Sequence, residues 1–202
     1  RAQAAFGVRV DEDEDVVPLE ADSLRYDTYE RSNRKRFETS IAADTKGYRV
    51  TYPESWSEDI VSLNDGKLYG VDLRFKNGRQ GQLAVHVLPF SGRLSIDEAG
   101  EPVEALETFV PLVGAFWDEN GFGDVEGRID ELSDQRTRSA KDGQLYYEYE
   151  LDAGRSHNLI SATVSDGQLY LLVLSASARQ WKTGEDVLRT ILASFSVPRG
   201  FS

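Results

Sequence analysis

Two histidines, one acidic run and one basic run are the residues of this chain whose types and spacing could do chemistry. His86 falls within an alternating apolar stretch, which suits a half-buried imidazole whose ring nitrogens are satisfied locally. His157 follows Gly154-Arg155-Ser156 at the start of a strand. It reads either as an exposed contact or ligand, or as a strand-end side chain bonded to a backbone carbonyl. Neither histidine has a local partner at metal-ligand spacing. The run Asp11-Glu12-Asp13-Glu14-Asp15 offers carboxylates, which hard cations prefer, and could collect calcium weakly. A built calcium site needs a fixed turn and about six or more oxygens, whereas five successive acids in an extended chain point in different directions. A solvated or partner-binding run is the competing reading. Asp97, Glu98, Glu101 and Glu104 sit where first-turn acids complement a helix dipole. Gly121-x-Gly123-x-x-x-Gly127 misses the dinucleotide spacing and follows no convincing strand. There is no P-loop, GxSxG, HExxH or EF-hand pattern, and no acid is paired with a base as catalysis requires. The chain reads as non-catalytic, with no cofactor or metal of its own.

The bulk composition narrows the classes further. The chain has 202 residues, which suits one domain with a short extension. A net charge of −12 argues against nucleic acid as a partner, because phosphate binding needs a basic surface. With no cysteine, disulfides, thiol catalysis and thiolate metal sites are excluded. No apolar run approaches the roughly 20 residues needed to cross a bilayer, so a soluble or peripheral protein is expected. The chain contains no Met, and Ala2-Gln3-Ala4 has the small-x-small form of a signal-peptidase site, so a processed start is expected.

Residues 1–46 differ from the rest. The acidic run and the basic run Arg31-Ser32-Asn33-Arg34-Lys35-Arg36 are separated by few apolar side chains, so this segment buries too little surface to offset its ordering entropy. It is expected to be a charged N-terminal arm, either flexible and solvated or lying along a partner. The acids 11–15 together with Arg31, Arg34, Lys35 and Arg36 are its docking candidates. The folded domain is expected over residues 47–202.

Within that domain, alternation predicts strands. Tyr48, Val50 and Tyr52 lead into Pro53, and Trp56 plugs one end of the core. Val71, Leu73 and Phe75 share a face, and Asn77-Gly78 turns the chain into Leu83, Val85 and Val87, with Ala84, His86 and Leu88 behind. Pro102 opens a helix carrying Val103, Leu106, Phe109, Val110 and Val113, which Pro111 is expected to kink or divide. Residues 129–138 read as a charged edge strand. Leu145, Tyr147, Tyr149 and Leu151 define a strand with a buried face and a wet one bearing Tyr146, Glu148, Glu150 and Asp152. Asn158 to Val164 follow, then an Asp166-Gly167 hairpin. Leu169–Leu174, apolar on both faces, belongs at the sheet centre. Thr183 is expected to cap a last helix with a stripe of Val187, Leu188, Ile191, Leu192 and Phe195. Hairpin-linked strands with few helices between them indicate an α+β domain with a mostly antiparallel sheet.

Particular residues carry a family resemblance. Gly47-x-x-x-x-Tyr52-Pro53-x-x-Trp56, then Ser95-Ile96 before Gly100-x-Pro102, resemble the opening of the PsbP family of thylakoid-lumen proteins. Asp142-Gly143-Gln144-Leu145-Tyr146-Tyr147 and His157-Asn158-Leu159-Ile160-Ser161-Ala162-Thr163-Val164 resemble that family's paired strands. Gly167-Gln168-Leu169-Tyr170, Trp181 and Ser194-Phe195-Ser196-Val197 continue in the same order, so the resemblance covers residues 47–198. It implies an αβα sandwich. It also implies a non-catalytic extrinsic subunit on the lumenal face of the chloroplast thylakoid membrane, with photosystem II first among the complexes. There such a protein contacts photosystem core subunits and other extrinsic subunits and helps retain calcium and chloride at the oxygen-evolving centre. A photosystem I or NDH-like assembly or accessory factor is the alternative, and a Ran-binding import factor of similar fold a more remote one. The resemblance also implies docking for the arm and for the histidine at position 157. The acidic and basic runs have no counterpart in the family pattern, and Ala4-Ala5-Phe6-Gly7 matches its start only faintly.

Overall fold

The computed structural model describes residues 24–30, 47–90 and 92–200. In chain order these form β1 (Tyr26–Glu30), β2 (Arg49–Pro53), β3 (Ser57–Glu58), α1 (Leu63–Tyr69), β4 (Val71–Asn77), β5 (Gly81–Pro89), α2 (Pro102–Glu119), β6 (Leu132–Ser139), β7 (Leu145–Asp152), β8 (Ser156–Ser165), β9 (Gln168–Ser177) and α3 (Ala178–Ser194). The main sheet has seven strands in the order β3-β4-β5-β9-β8-β7-β6, and every neighbouring pair is antiparallel. The expected α+β sandwich is therefore present, with a helix and an apolar core on each face.

Strand alternation assigns side chains to the two cores. Leu169, Leu171 and Val173 of β9 meet Ile160, Ala162 and Val164 of β8 under Leu106, Phe109, Val113 and Phe116 of α2. Tyr170, Leu172 and Leu174 face the other way, with Leu83, Val85 and Val87 of β5, beneath Val187, Leu188, Ile191 and Leu192 of α3. A strand apolar on both faces can lie only where both faces are covered, and β9 is the fourth of seven strands. Asp166 and Gly167 take φ of 49° and 72°, so both central residues of the β8–β9 hairpin are left-handed.

Several expectations are corrected. Val71 does not share a face with Leu73 and Phe75. A register shift between Val71 and Leu73 turns Val71 into the α2-side core, while the other two face α3. Pro111 does not divide α2, which runs unbroken from Pro102 to Glu119. Pro111 and Glu107, four residues before it, are both exposed, so water reaches the carbonyl that the ring leaves unbonded. The last helix is capped by Ser177, not by Thr183. Ser177 and Gln180 form a reciprocal capping box six residues earlier, in a stretch whose polar residues hid the start. Phe195, the last residue of the expected stripe, is buried but extended just beyond the helix end.

The second face of β7 is wet only toward its end, where Glu150 is half-buried and Asp152 exposed. Tyr146 is fully buried, and its hydroxyl accepts from Val197 N at 2.7 Å and donates to Val197 O at 3.2 Å. Glu148, with a side-chain exposure of 1%, accepts from Arg136 and Arg138 of β6. β1, β3 and α1 were not anticipated. β1 lies within the segment expected to be an arm, yet it pairs with β2 in register, Tyr29 opposite Val50. Leu24 and Tyr29 pack against the α3-side core.

One glycine holds the α1–β4 joint. Gly70 has φ of 61°, and its carbonyl accepts from Val87 N at 2.8 Å. A Cβ there would collide with the carbonyl oxygen of Val87 and press on the Leu88 side chain. Gly70→Ala is expected to cost roughly 2–3 kcal/mol in urea denaturation, combining left-handed strain with overpacking. A loss below about 0.5 kcal/mol would show that the joint relaxes freely.

Candidate docking site at His157

Antiparallel pairing sets the site. Asp152 ends β7, Gly154 turns the chain with φ of 70°, and β8 returns so that His157 stands opposite Asp152. Cross-strand partners share a face, and His157 Nε2 lies 3.2 Å from Asp152 Oδ1. The imidazole also stacks on the indole of Trp181, with centroids 4.2 Å apart and planes 2° from parallel. Trp181 belongs to α3, and Glu185 and Arg189 follow at helical spacing on the same face. The Arg189 guanidinium lies 5.2 Å from the Trp181 ring and is hydrogen-bonded to Glu185 and Glu150, at 2.9 and 3.0 Å. The result is a ladder from Asp152 through His157, Trp181 and Arg189 to Glu150 and Glu185.

His157 is neither fully exposed nor carbonyl-bonded. Its side-chain exposure is 12%, and it pairs with a carboxylate instead. The backbone N–H of Gly154 holds the Asp152 carboxyl below its usual range, with further help from His157 and Arg128. Arg189 is raised by its bonds to Glu185 and Glu150, against the opposing effect of its own partial burial. His157 Nδ1 is buried and has no hydrogen-bond partner. The adjacent Ser156 hydroxyl accepts from Arg128 Nη1 at 3.0 Å, and among the described residues no serine is hydrogen-bonded to the imidazole as nucleophile activation requires. The ladder offers a stiff aromatic pair edged by charges, which suits recognition of another polar surface.

The second histidine is structural. His86 is fully buried rather than half-buried, with Nε2 accepting from Trp117 Nε1 and Nδ1 meeting the Tyr69 carbonyl, each at 2.8 Å. Trp117 has only a donor, so the proton resides on Nδ1. Of the docking candidates, only His157 falls among the described residues. Asp11, Glu12, Asp13, Glu14, Asp15, Arg31, Arg34, Lys35 and Arg36 lie outside them. Sequence reasoning missed Asp152, Trp181 and Arg189 as members of the site. The i, i+4, i+8 spacing of Trp181, Glu185 and Arg189 was the available signal. Among the described residues, no group of three or more His, Asp or Glu could hold a metal ion, and no helix is long and apolar enough to cross a membrane.

Comparison with known proteins gives a consistent set of similarities. The family model described as PsbP matches residues 39–197. PsbP domain-containing protein 4, chloroplastic, of Arabidopsis thaliana is 32% identical over 186 residues, covering 88% of this chain and 66% of that protein. The thylakoid lumenal 19 kDa protein, chloroplastic, of the same plant is 26% identical, covering 73% of this chain and 60% of that one. The chain thus spans less than two thirds of these relatives. The solution structure of cyanobacterial PsbP (CyanoP) from Synechocystis sp. PCC 6803 superposes with a TM-score of 0.54 at 22% identity. That superposition covers 86% of this chain and 92% of CyanoP, and it indicates a shared fold.

Proposed function

This chain belongs to the PsbP family, and we propose that it is a non-catalytic protein of the thylakoid lumen that docks peripherally on a photosynthetic membrane complex, photosystem II first. The reading rests on the ladder at His157, a rigid rim of charge and aromatic surface on a domain of this family. The sandwich supplies the stiffness and the ladder the contact. Residues 1–23 and 31–46, flanking β1, carry the charged runs that would extend the contact along the partner. Such a cover slows exchange of water and of ions, calcium and chloride among them, at a site beneath it.

A second reading has an observation behind it. Both plant relatives described above carry the names of a domain-containing protein and a lumenal protein rather than of a photosystem subunit. That favours an accessory or assembly protein bound transiently to immature complexes.

Native gel electrophoresis of thylakoid membranes tests both readings. Wild type is expected to co-migrate with mature photosystem II, and His157→Ala to lower that fraction several-fold. The substitution forfeits one stacked ring and one contact to the half-exposed Asp152 carboxylate, so the unfolding free energy should fall by only about 1 kcal/mol. Undiminished co-migration of His157→Ala would remove the ladder from docking. Co-migration confined to immature complexes would select the second reading.

A further inference from the structure

A cleft of about 380 Å³ opens at one end of the sheet, between the β4–β5 hairpin, the turn after α2, the start of β8 and the first turn of α3. Its lining includes Lys76 and Arg155 and contains no aspartate or glutamate, in a chain with 35 acidic and 23 basic residues. Lys76 Nζ spends one donor on Asp59 at 3.0 Å and has others to give. Arg155 takes part in no ion pair found among the described residues.

Two hydroxyls on the lining are set as donors. Ser156 Oγ accepts from Arg128 Nη1 at 3.0 Å, and Ser177 Oγ accepts from Gln180 N at 3.2 Å. Neither hydroxyl donates to another group of the protein in these contacts, so each has its own proton to give. At Gly78 a Cβ would meet nothing within 4 Å, and Gly121 has φ of 77°, so bare backbone borders the space. The first turn of α3 carries no acid to compete for these donors.

We propose that this cleft binds a small molecule through a phosphate-type oxyanion. Arg74 and Lys76 share the single carboxylate of Asp59 and so keep one net positive charge, which with Arg155 balances a charge near −2. Donors on the hairpin, at the start of β8 and at the N-cap of α3 suit a tetrahedral group with acceptor oxygens on several sides. A planar carboxylate would leave part of that set unused. The cleft borders the His157–Trp181 stack: its lining residues Ser156 and Gln180 directly precede His157 and Trp181 in the chain.

The full chain, labelled with ¹⁵N, is titrated with inorganic phosphate at constant ionic strength set by sodium chloride. Saturable amide shifts confined to Gly78, Gly81, Gly121 and Ser156 are expected. Combined Lys76→Gln and Arg155→Gln is expected to weaken half-saturation at least fivefold while leaving the melting temperature unchanged. Ser156→Ala, which keeps both cations, is expected to weaken it about twofold to fourfold. Acetate at equal concentration is expected to give less than a fifth of the response. Non-saturating shifts, shifts spread over all basic surfaces, an unaffected double variant, or acetate binding as well as phosphate would each overturn the proposal.

Discussion

Lowering the pH from 7 to 4 is expected to reduce the unfolding free energy by about 3 kcal/mol through His86 alone. Burial pushes the folded pKa of His86 from 6.5 down to about 4, assisted by the nearby Arg74 charge and opposed by the Tyr69 carbonyl. The unfolded chain takes up this proton near pH 6.5, while the folded chain resists it until about pH 4. Between those values protons favour unfolding. The stabilisation is complete above pH 6.5 and is lost as pH falls toward 4, at about 1.4 kcal/mol per pH unit. The geometry agrees with this sign. A protonated Nε2 would face the Trp117 N–H, which can only donate, so the 2.8 Å hydrogen bond would be broken. Urea denaturation of the wild type and His86→Gln at several pH values measures the effect. An amide can accept from Trp117 and donate to Tyr69 without titrating, so the variant should lose most of the slope between pH 6.5 and 4. A variant that keeps the wild-type slope would assign acid sensitivity elsewhere.

Arg138→Leu is expected to cost about 3 kcal/mol, although the residue stands on an edge strand. Its Nε donates to Glu148 at 2.7 Å, its Nη2 donates to Phe195 O at 3.0 Å, and its guanidinium lies 3.9 Å from the Tyr146 ring centroid. The Glu148 side chain is 1% exposed and has one other cation, Arg136, at 2.6 Å. Losing Arg138 leaves half of a buried carboxylate uncompensated and unties β6 from the segment after α3. Arg136 is 57% exposed, so Arg136→Leu should cost about 1 kcal/mol. Adding Glu148→Leu to Arg138→Leu should recover part of the loss, because the stranded charge disappears. Equal costs for the two single arginine variants would refute this division of roles.

Legibility followed the range of the forces involved. The Asp166-Gly167 hairpin, the central place of β9, the Pro102 helix and the charged edge strand β6 were readable because period, turn chemistry and charge act within a few residues. The start of α3 was misplaced by six residues because a capping box was overlooked in a polar stretch, although its signal is also local. β1 was hidden because its pattern is mostly exposed, and pairing with β2 and the packing of Tyr29 on the core hold it.

The sequence by itself determined the α+β sandwich through periodicity and the family through residue order, and the family resemblance, not spacing, put His157 forward as a docking candidate. Tertiary structure alone decided what surrounds those residues. Glu148 and Tyr146 looked solvated by alternation, yet the C-terminal segment and two arginines cover them. His157 gained its partners from a strand five residues earlier and a helix 24 residues later, Asp152 and Trp181. Alternation tells which face a side chain takes, but what covers that face is set by chain closure, which brings distant residues together through burial and charge pairing.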